Sequence, residues 1–183
     1  MLSAKAERVT PEKLFEGFLT EDDQEVCAML DGASVPGLLE RLHSEPSLQV
    51  ECLFPGKLAA DMAQVAPYLV KLELQSDFTE WVVATGWGQH WGTFVASQQG
   101  FRKLRNHLRG LSMVYRRDGT PLFFRYYDPR VLRIFLPTCS GAQLKQMFGP
   151  VDAFLAENEA GDDSVSIFRL NGEQLSAVQR KLV

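Results

Sequence analysis

Apolar residues recur along this chain in short blocks, spaced at either the two-residue period of strands or the 3.6-residue period of helices. Leu14, Phe15, Phe18 and Leu19 share one face behind Thr10, a capping residue, and Pro11, which suits a first helical turn. That spacing predicts a lead-in helix within residues 1–24, broken by the acidic run Glu21-Asp22-Asp23. Residues 26–30 are apolar at every position, as in a strand covered on both faces, and Asp31-Gly32 ends the run. Ser34 is then expected to cap a helix carrying Val35, Leu38, Leu39 and Leu42. Leu48, Val50, Cys52 and Phe54 alternate with Gln49 and Glu51 in a second strand stopped by Pro55-Gly56. A short helix over residues 58–64 leads to a third strand with Tyr68, Val70, Leu72 and Leu74 on one face. Asp77 and Glu80 form the pattern of a capping box for a helix that buries Phe78, Trp81, Val82 and Thr85. Residues 93–96 are a fourth strand, and Phe101, Leu104 and Leu108 line the inside of a helix whose Arg102, Lys103, Arg105 and Arg109 face outward.

Residues 111–117 and 121–126 flank Asp118-Gly119, the strongest hairpin signal in the chain, with a two-residue type I′ loop expected. Asp128-Pro129 opens a helix through Val131, Leu132 and Phe135 that Pro137 should end, and Ser140 caps another with Leu144, Met147 and Phe148 inside. A last unit reads as strand 151–156, an exposed loop over 157–163, strand 164–170 and a helix with Leu175, Val178 and Leu182 inward. The expectation is an α/β fold: a mixed β-sheet flanked by helices, with a small C-terminal β-hairpin-plus-helix unit. The divisions are a lead-in helix at 1–24, a core domain at 25–150 and a short β-β-α subdomain at 151–183.

Composition adds bounds to this picture. The chain has 183 residues, enough for one compact domain, and its 45% hydrophobic and 23% charged residues exclude wholesale disorder. No apolar run reaches the ~18–20 residues that span a bilayer, and the N-terminal residues lack a secretory pattern, so the expected location is the cytoplasm. Three widely spaced cysteines, Cys27, Cys52 and Cys139, read as small apolar side chains rather than a disulfide framework. The net charge of −4 conceals a segregation: −9 over residues 1–80, +8 over 81–150 and −3 over 151–183. Such polarity serves either partner capture or internal pairing of the acidic and basic segments.

Catalytic constellations are poor. His43, His90 and His107 lie at no metal-ligand spacing, and the chain has no nucleophile elbow, Walker loop or dinucleotide fingerprint. No enzymatic activity, metal or cofactor is therefore expected. Two clusters stand out instead. Residues 86–92, Gly-Trp-Gly-Gln-His-Trp-Gly, place two indoles among three glycines, and residues 125–130, Arg-Tyr-Tyr-Asp-Pro-Arg, set two phenols beside two guanidiniums and a carboxylate. Core packing explains both, with Asp128 capping its helix; a recognition surface also explains them, because Trp, Tyr and Arg dominate binding hot spots. Two further readings are a small-molecule or enzymatic site at Trp87, His90 and Trp91, and nucleic-acid binding through the basic region 102–133. Against the latter stands a sequence pI of about 5.4.

Five blocks carry a resemblance: MLDGA at 29–33, LFPGKLAADMAQVAPYLVKL at 53–72, GWGQHWGTFVAS at 86–97, the stretch from LRNHLRG through RYYDPRVLRIFLPT at 104–138, and FGPVDAF at 148–154. In order and spacing they resemble the adaptor (effector-chaperone) family of bacterial type VI secretion, also known as domain of unknown function 4123. Cys27 departs from the aromatic that relatives often carry there, and the segment after the core is shorter than the C-terminal lobe of many relatives. The resemblance implies a non-enzymatic cytoplasmic protein that binds a toxic effector and promotes its loading onto the VgrG spike, with no role for nucleic acid or membrane. Arg102, Arg105, Arg125, Tyr127 and Arg130 are the candidate contact residues. Asp31, Gly32, Trp81, Trp87, Trp91 and Asp128 are expected to be framework.

Overall fold

A computed structural model describes residues 9–18, 23–159 and 163–182. Strands β1 (Glu25–Asp31), β2 (Val50–Cys52), β3 (Pro67–Lys71), β4 (Gly92–Ser97), β7 (Ala153–Glu157), β8 (Ser164–Asn171) and β9 (Gln174–Lys181) form one sheet in the order β2-β3-β1-β4-β7-β8-β9. Every neighbour in it pairs antiparallel. Helices cover both of its faces. Val26, Ala28 and Leu30 of β1 pack with Leu14 of α1 (Pro11–Phe18), Leu38 and Leu42 of α2 (Leu38–Ser44), and Phe78 and Val82 of α4 (Asp77–Gly86). Met62 of the short α3 (Ala60–Val65) borders the same cluster.

On the opposite face Cys27, Met29 and Val95 meet Leu104 and Leu108 of α5 (Phe101–Leu111), Leu132 of α6 (Pro129–Phe135), and Leu144 and Met147 of α7 (Gly141–Phe148). Alternate residues of β1 thus enter two different cores, which is why residues 26–30 must all be apolar. Each fully buried aliphatic side chain contributes about 1.5–3 kcal/mol before the entropy of ordering is set against it. The chain is therefore α/β with flanking helices, as the periodicity implies, but the sheet expected to be mixed has no parallel pair among its described strands. Residues 151–183 add three strands to the same sheet through the β4–β7 pairing. No described helix is long and apolar enough to cross a membrane.

Several local expectations change. The lead-in helix is described only from Pro11 to Phe18; Leu19 and the acidic residues Glu21 and Asp22 lie outside the described residues. Ser34 does not cap α2: its hydroxyl donates to Asp31 Oδ2 at 2.9 Å, and Pro36-Gly37, with φ 69° at Gly37, delays the helix to Leu38. The cap of α4 is Ser76, whose hydroxyl accepts from Phe78 N, and Asp77 and Glu80 sit in the first turn. Ser140 caps α7 with the full reciprocal box through Gln143. Pro137 does not stop the chain's winding but falls in a 3-10 turn, Leu136–Thr138, that extends α6.

The hairpin at 111–126 exists, as a separate two-stranded sheet of β5 (Met113–Tyr115) and β6 (Pro121–Phe123). Its loop is not type I′. Arg116 N donates to Thr120 O at 2.9 Å and φ is positive at Gly119 alone, which is the three-residue loop with a glycine bulge. The final helix, expected to carry Leu175, Val178 and Leu182, is replaced by strand β9. Asn171-Gly172 supplies the reason: Gly172, at φ 64°, opens a two-residue turn that brings Gln174 opposite Asn171. A glycine at the first central position is the signature of a type II′ hairpin, and pairing with β8 then overrides the helical spacing of Leu175, Val178 and Leu182.

Candidate functional site

One end of the sheet gathers residues far apart in sequence. There β1 finishes at Asp31, β4 begins at Gly92 opposite Leu30, and β7 finishes at Glu157. Asp31 N donates to Trp91 O at 2.9 Å, tying the turn after β1 to the segment before β4. The Asp31 carboxylate is 1% exposed. It accepts from Ala33 N at 3.0 Å and from the Ser34 hydroxyl, and it forms a short ion pair with Arg125 Nη2. Gly32 is obligatory beside it, since a Cβ there would stand 2.5 Å from Gln64 O and 2.6 Å from Ala66 O, both backbone atoms.

Arg125 links onward. Its Nη2 lies 3.8 Å from Asp128 Oδ2, and Asp128 in turn caps α6 by accepting from Arg130 N at 2.9 Å. Arg130 returns to the same carboxylate with two bonds, Nε at 3.0 Å and Nη2 at 2.7 Å. Burial would raise the Asp128 carboxyl, but the bonds and charge of Arg130 outweigh it and hold the group below its ordinary value. Burial likewise acts to lower Arg125, and its hydrogen bond and ion pair with Asp31 raise it instead. The result is a chain of two buried carboxylates and two guanidiniums, with Arg125 47% and Arg130 53% exposed. Both cations are held in fixed positions and still face solvent.

Tyr127 does not join them at the surface. It is buried in the core, and that burial, followed by the nearby Asp31 charge, pushes its phenol up to about 12. The expectation of Tyr127 as a contact residue is corrected: the β6 strand ends at Phe123, and the turn that follows folds Tyr126 and Tyr127 inward. Tyr126 donates to Leu108 O at 2.7 Å and packs edge-on to Tyr127.

The glycine-tryptophan segment is organised by a residue that periodicity placed in an exposed loop. Glu157 is buried at the end of β7. Its two oxygens accept from Gly88 N and His90 N, each at 2.6 Å, and His90 Nδ1 lies 2.7 Å from Oε1. His90 holds φ 57°, the one positive value at a non-glycine among the described residues, and Gly88 has φ 78°. Burial pushes the Glu157 carboxyl up against the opposing pull of those two N–H groups and the His90 ring. The signal for its role was an acidic residue closing the apolar run 153–156, where a buried carboxylate needs several donors.

Trp91 fills the space under this loop, its ring 4.8 Å from Trp81, while Trp87 stacks on Phe94. A Cβ on Gly86 would meet Trp91 Cε3 at 2.5 Å. Trp81 is half-buried, with the Arg41 guanidinium 5.6 Å above its ring. The void between Trp87, Trp91 and Glu157 measures about 10 Å³, room for one water at most. A substrate-sized ligand has no space there. Among the described residues no group of three His, Cys, Asp or Glu side chains is placed to hold a metal.

The contact residues expected on α5 lie elsewhere. The helix starts beyond the opposite end of the sheet, where Arg102 borders an open cleft with Glu25 and Gln99. Arg105 lies 3.6 Å from Glu51 and Arg109 donates to Cys52 O at 2.6 Å, so this face pairs in part with the chain's own acidic half. Arg102 and Arg105 therefore do not form one surface with Arg125 and Arg130. Arg125 instead follows two residues after the β5–β6 hairpin, whose Phe123 stacks on Phe54 with ring centroids 4.3 Å apart. Sequence reading assigned its apolar residues to the sheet, whereas Tyr115 and Phe123 stand in solvent at 68% and 51% exposure.

The family model described as domain of unknown function (DUF4123) matches residues 26–146, a span holding Asp31, the 86–92 segment and the 125–130 segment. No curated protein and no solved structure matches the chain.

Proposed function

The chain belongs to the family of domain of unknown function (DUF4123), and from that premise we propose that it is a non-catalytic adaptor. In this reading it binds a type VI secretion effector in the cytoplasm and promotes its loading onto the VgrG spike. One observation supports the proposal: two of the sequence blocks that resemble the adaptors, 29–33 and 104–138, supply a single charged network, and a third, 86–97, is tied to it by the bond from Asp31 N to Trp91 O. The network's carboxylates are buried and its arginines, Arg125 and Arg130, are presented outward, Arg125 two residues beyond an exposed apolar hairpin. Pre-positioned guanidiniums next to exposed aromatics are the composition of a protein-recognition surface, where Arg, Tyr and Trp supply most of the binding energy. The tight packing around Trp87 and Trp91 makes the 86–92 segment a support for that surface rather than a ligand pocket. Binding and release, not bond-making, are then the mechanism.

Co-expression tests this reading. A tagged effector and a VgrG, each encoded with an adaptor of this type, are expressed with and without the chain. Retention of VgrG on the tagged effector should require the chain. Retention unchanged by omitting it, or failure of the chain to bind either protein, contradicts the proposal.

A further inference from the structure

The β5–β6 hairpin carries an unfilled place for a third strand. It is a two-stranded sheet on its own, and every residue from Val114 to Phe123 is exposed. Isolated two-stranded hairpins are marginal in water, and exposed apolar side chains of this density mark interaction surfaces. Register shows which edge is open. Arg116 and Thr120 form a hydrogen-bonded pair, as do Ser112 and Phe124, so the pairs Met113–Phe123 and Tyr115–Pro121 turn their backbone groups outward. On β6 the outward position at 121 is a proline without an N–H, which blocks pairing along that edge. On β5 both Met113 and Tyr115 present N–H and C=O with no partner among the described residues. The open edge is β5.

Charge names the occupant. Arg116 and Arg117 sit at the hairpin's tip with no ion pair among the described residues, and Arg125 follows β6 at its base. Arg125 is already paired with Asp31 and Asp128, so the tip's charge rests on Arg116 and Arg117, against which stands Asp118 alone, its carboxylate accepting from Thr120 N at 2.9 Å. A second copy of this chain would bring the same positive hairpin to itself. We propose that β5 is a β-augmentation site for an extended, acidic segment of a partner protein. Carboxylates of that segment would pair with Arg116 and Arg117, and its alternate apolar residues would lie beside Met113 and Tyr115, which share one face of β5. Main-chain bonds to Met113 and Tyr115 supply affinity in this mode, and side chains supply selectivity. The inference rests on the adaptor reading for the partner's identity, but its geometry is tested independently.

The test selects a random dodecamer display library on the full chain and on two variants, Arg116→Glu/Arg117→Glu and Tyr115→Ala. Both variants alter exposed side chains and should melt like the parent. Enriched peptides should be acidic, with apolar residues at every second position. Their synthetic forms should lose about 30-fold or more in affinity for either variant, the loss typical of a hot spot, and charge reversal should abolish the salt dependence. Four results overturn the proposal: no enrichment, binding indifferent to both variants, apolar spacing of three and four residues that marks a helix, or a dimer of the parent that the variants dissociate. A fifth is hairpin-dependent binding to phosphatidylglycerol vesicles without peptide binding, which assigns the surface to a membrane. Failure of the adaptor reading shows separately, in the co-expression experiment, and leaves the peptide result standing.

Discussion

Replacing Asp31 with Asn removes one charge from the network and leaves the side chain's shape intact. The amide oxygen can still accept from Ala33 N, but the amide nitrogen then faces Arg125, donor against donor. A hydrogen bond to a charged group is worth about 1.5–3 kcal/mol. Asp31 is fully buried, which favours the upper part of that range, whereas Arg125 keeps about half its surface in water, which lowers it. The expected cost of Asp31→Asn is about 2 kcal/mol, or roughly 4–8 °C in melting temperature for a chain of this size. Arg125→Met should cost about 1–3 kcal/mol, because the carboxylate keeps two other donors. Urea unfolding of both single variants and the double variant, with unchanged m-values, gives the coupling directly. A coupling of about 1–2 kcal/mol is expected. Additivity within about 0.5 kcal/mol would refute the network and return Arg125 to a purely surface role.

Asp128→Asn should preserve the helix cap and flatten the acid limb of stability. Because the folded carboxyl lies below its ordinary value, its contribution is fully present above that ordinary value and is lost as pH falls through the lower folded one, so the difference between parent and variant melts should shrink only in that acid range. Gly92→Ala should abolish soluble folded protein, since the added Cβ overlaps the Met29 carbonyl of the neighbouring strand and no side-chain rotation relieves it. Gly110→Ala, in α5 with nothing within 4 Å, should instead raise stability by about 0.5–1 kcal/mol in the same thermal melts. Trp91→Ala should cost about 3–5 kcal/mol in urea unfolding, and the half-buried Trp81→Ala distinctly less.

Periodicity read the central strands and most helices correctly because their side chains face two cores at once, and an all-apolar run such as 26–30 has few other uses. It misread β9 because Leu175, Val178 and Leu182 satisfy a helical template, while the deciding signal was local: Asn171-Gly172 and the II′ turn it builds. Pro36-Gly37 and Ser76 displaced two helix starts for the same reason, turn chemistry acting over two or three residues. Within the site, Asp31, Asp128 and Arg125 were legible as unusual residues, but not as partners, because their meeting depends on antiparallel order across β1, β4 and β7. Glu157 was missed since a glutamate after an apolar strand reads as solvated unless the N–H groups of Gly88 and His90 are known to point at it. The strand expected over 121–126 ends at Phe123, three residues before Tyr126, and the turn that follows folds Tyr126 and the expected contact residue Tyr127 inward.

The adaptor claim is tested most directly by isothermal titration of a purified type VI effector, from an operon that encodes an adaptor of this type, into the purified chain. The account predicts saturable binding with a fixed stoichiometry, weakened by Arg116→Glu/Arg117→Glu and by higher salt, with no chemical change in either protein. Absence of binding across effectors of this class, or turnover of the effector by the chain, would contradict it.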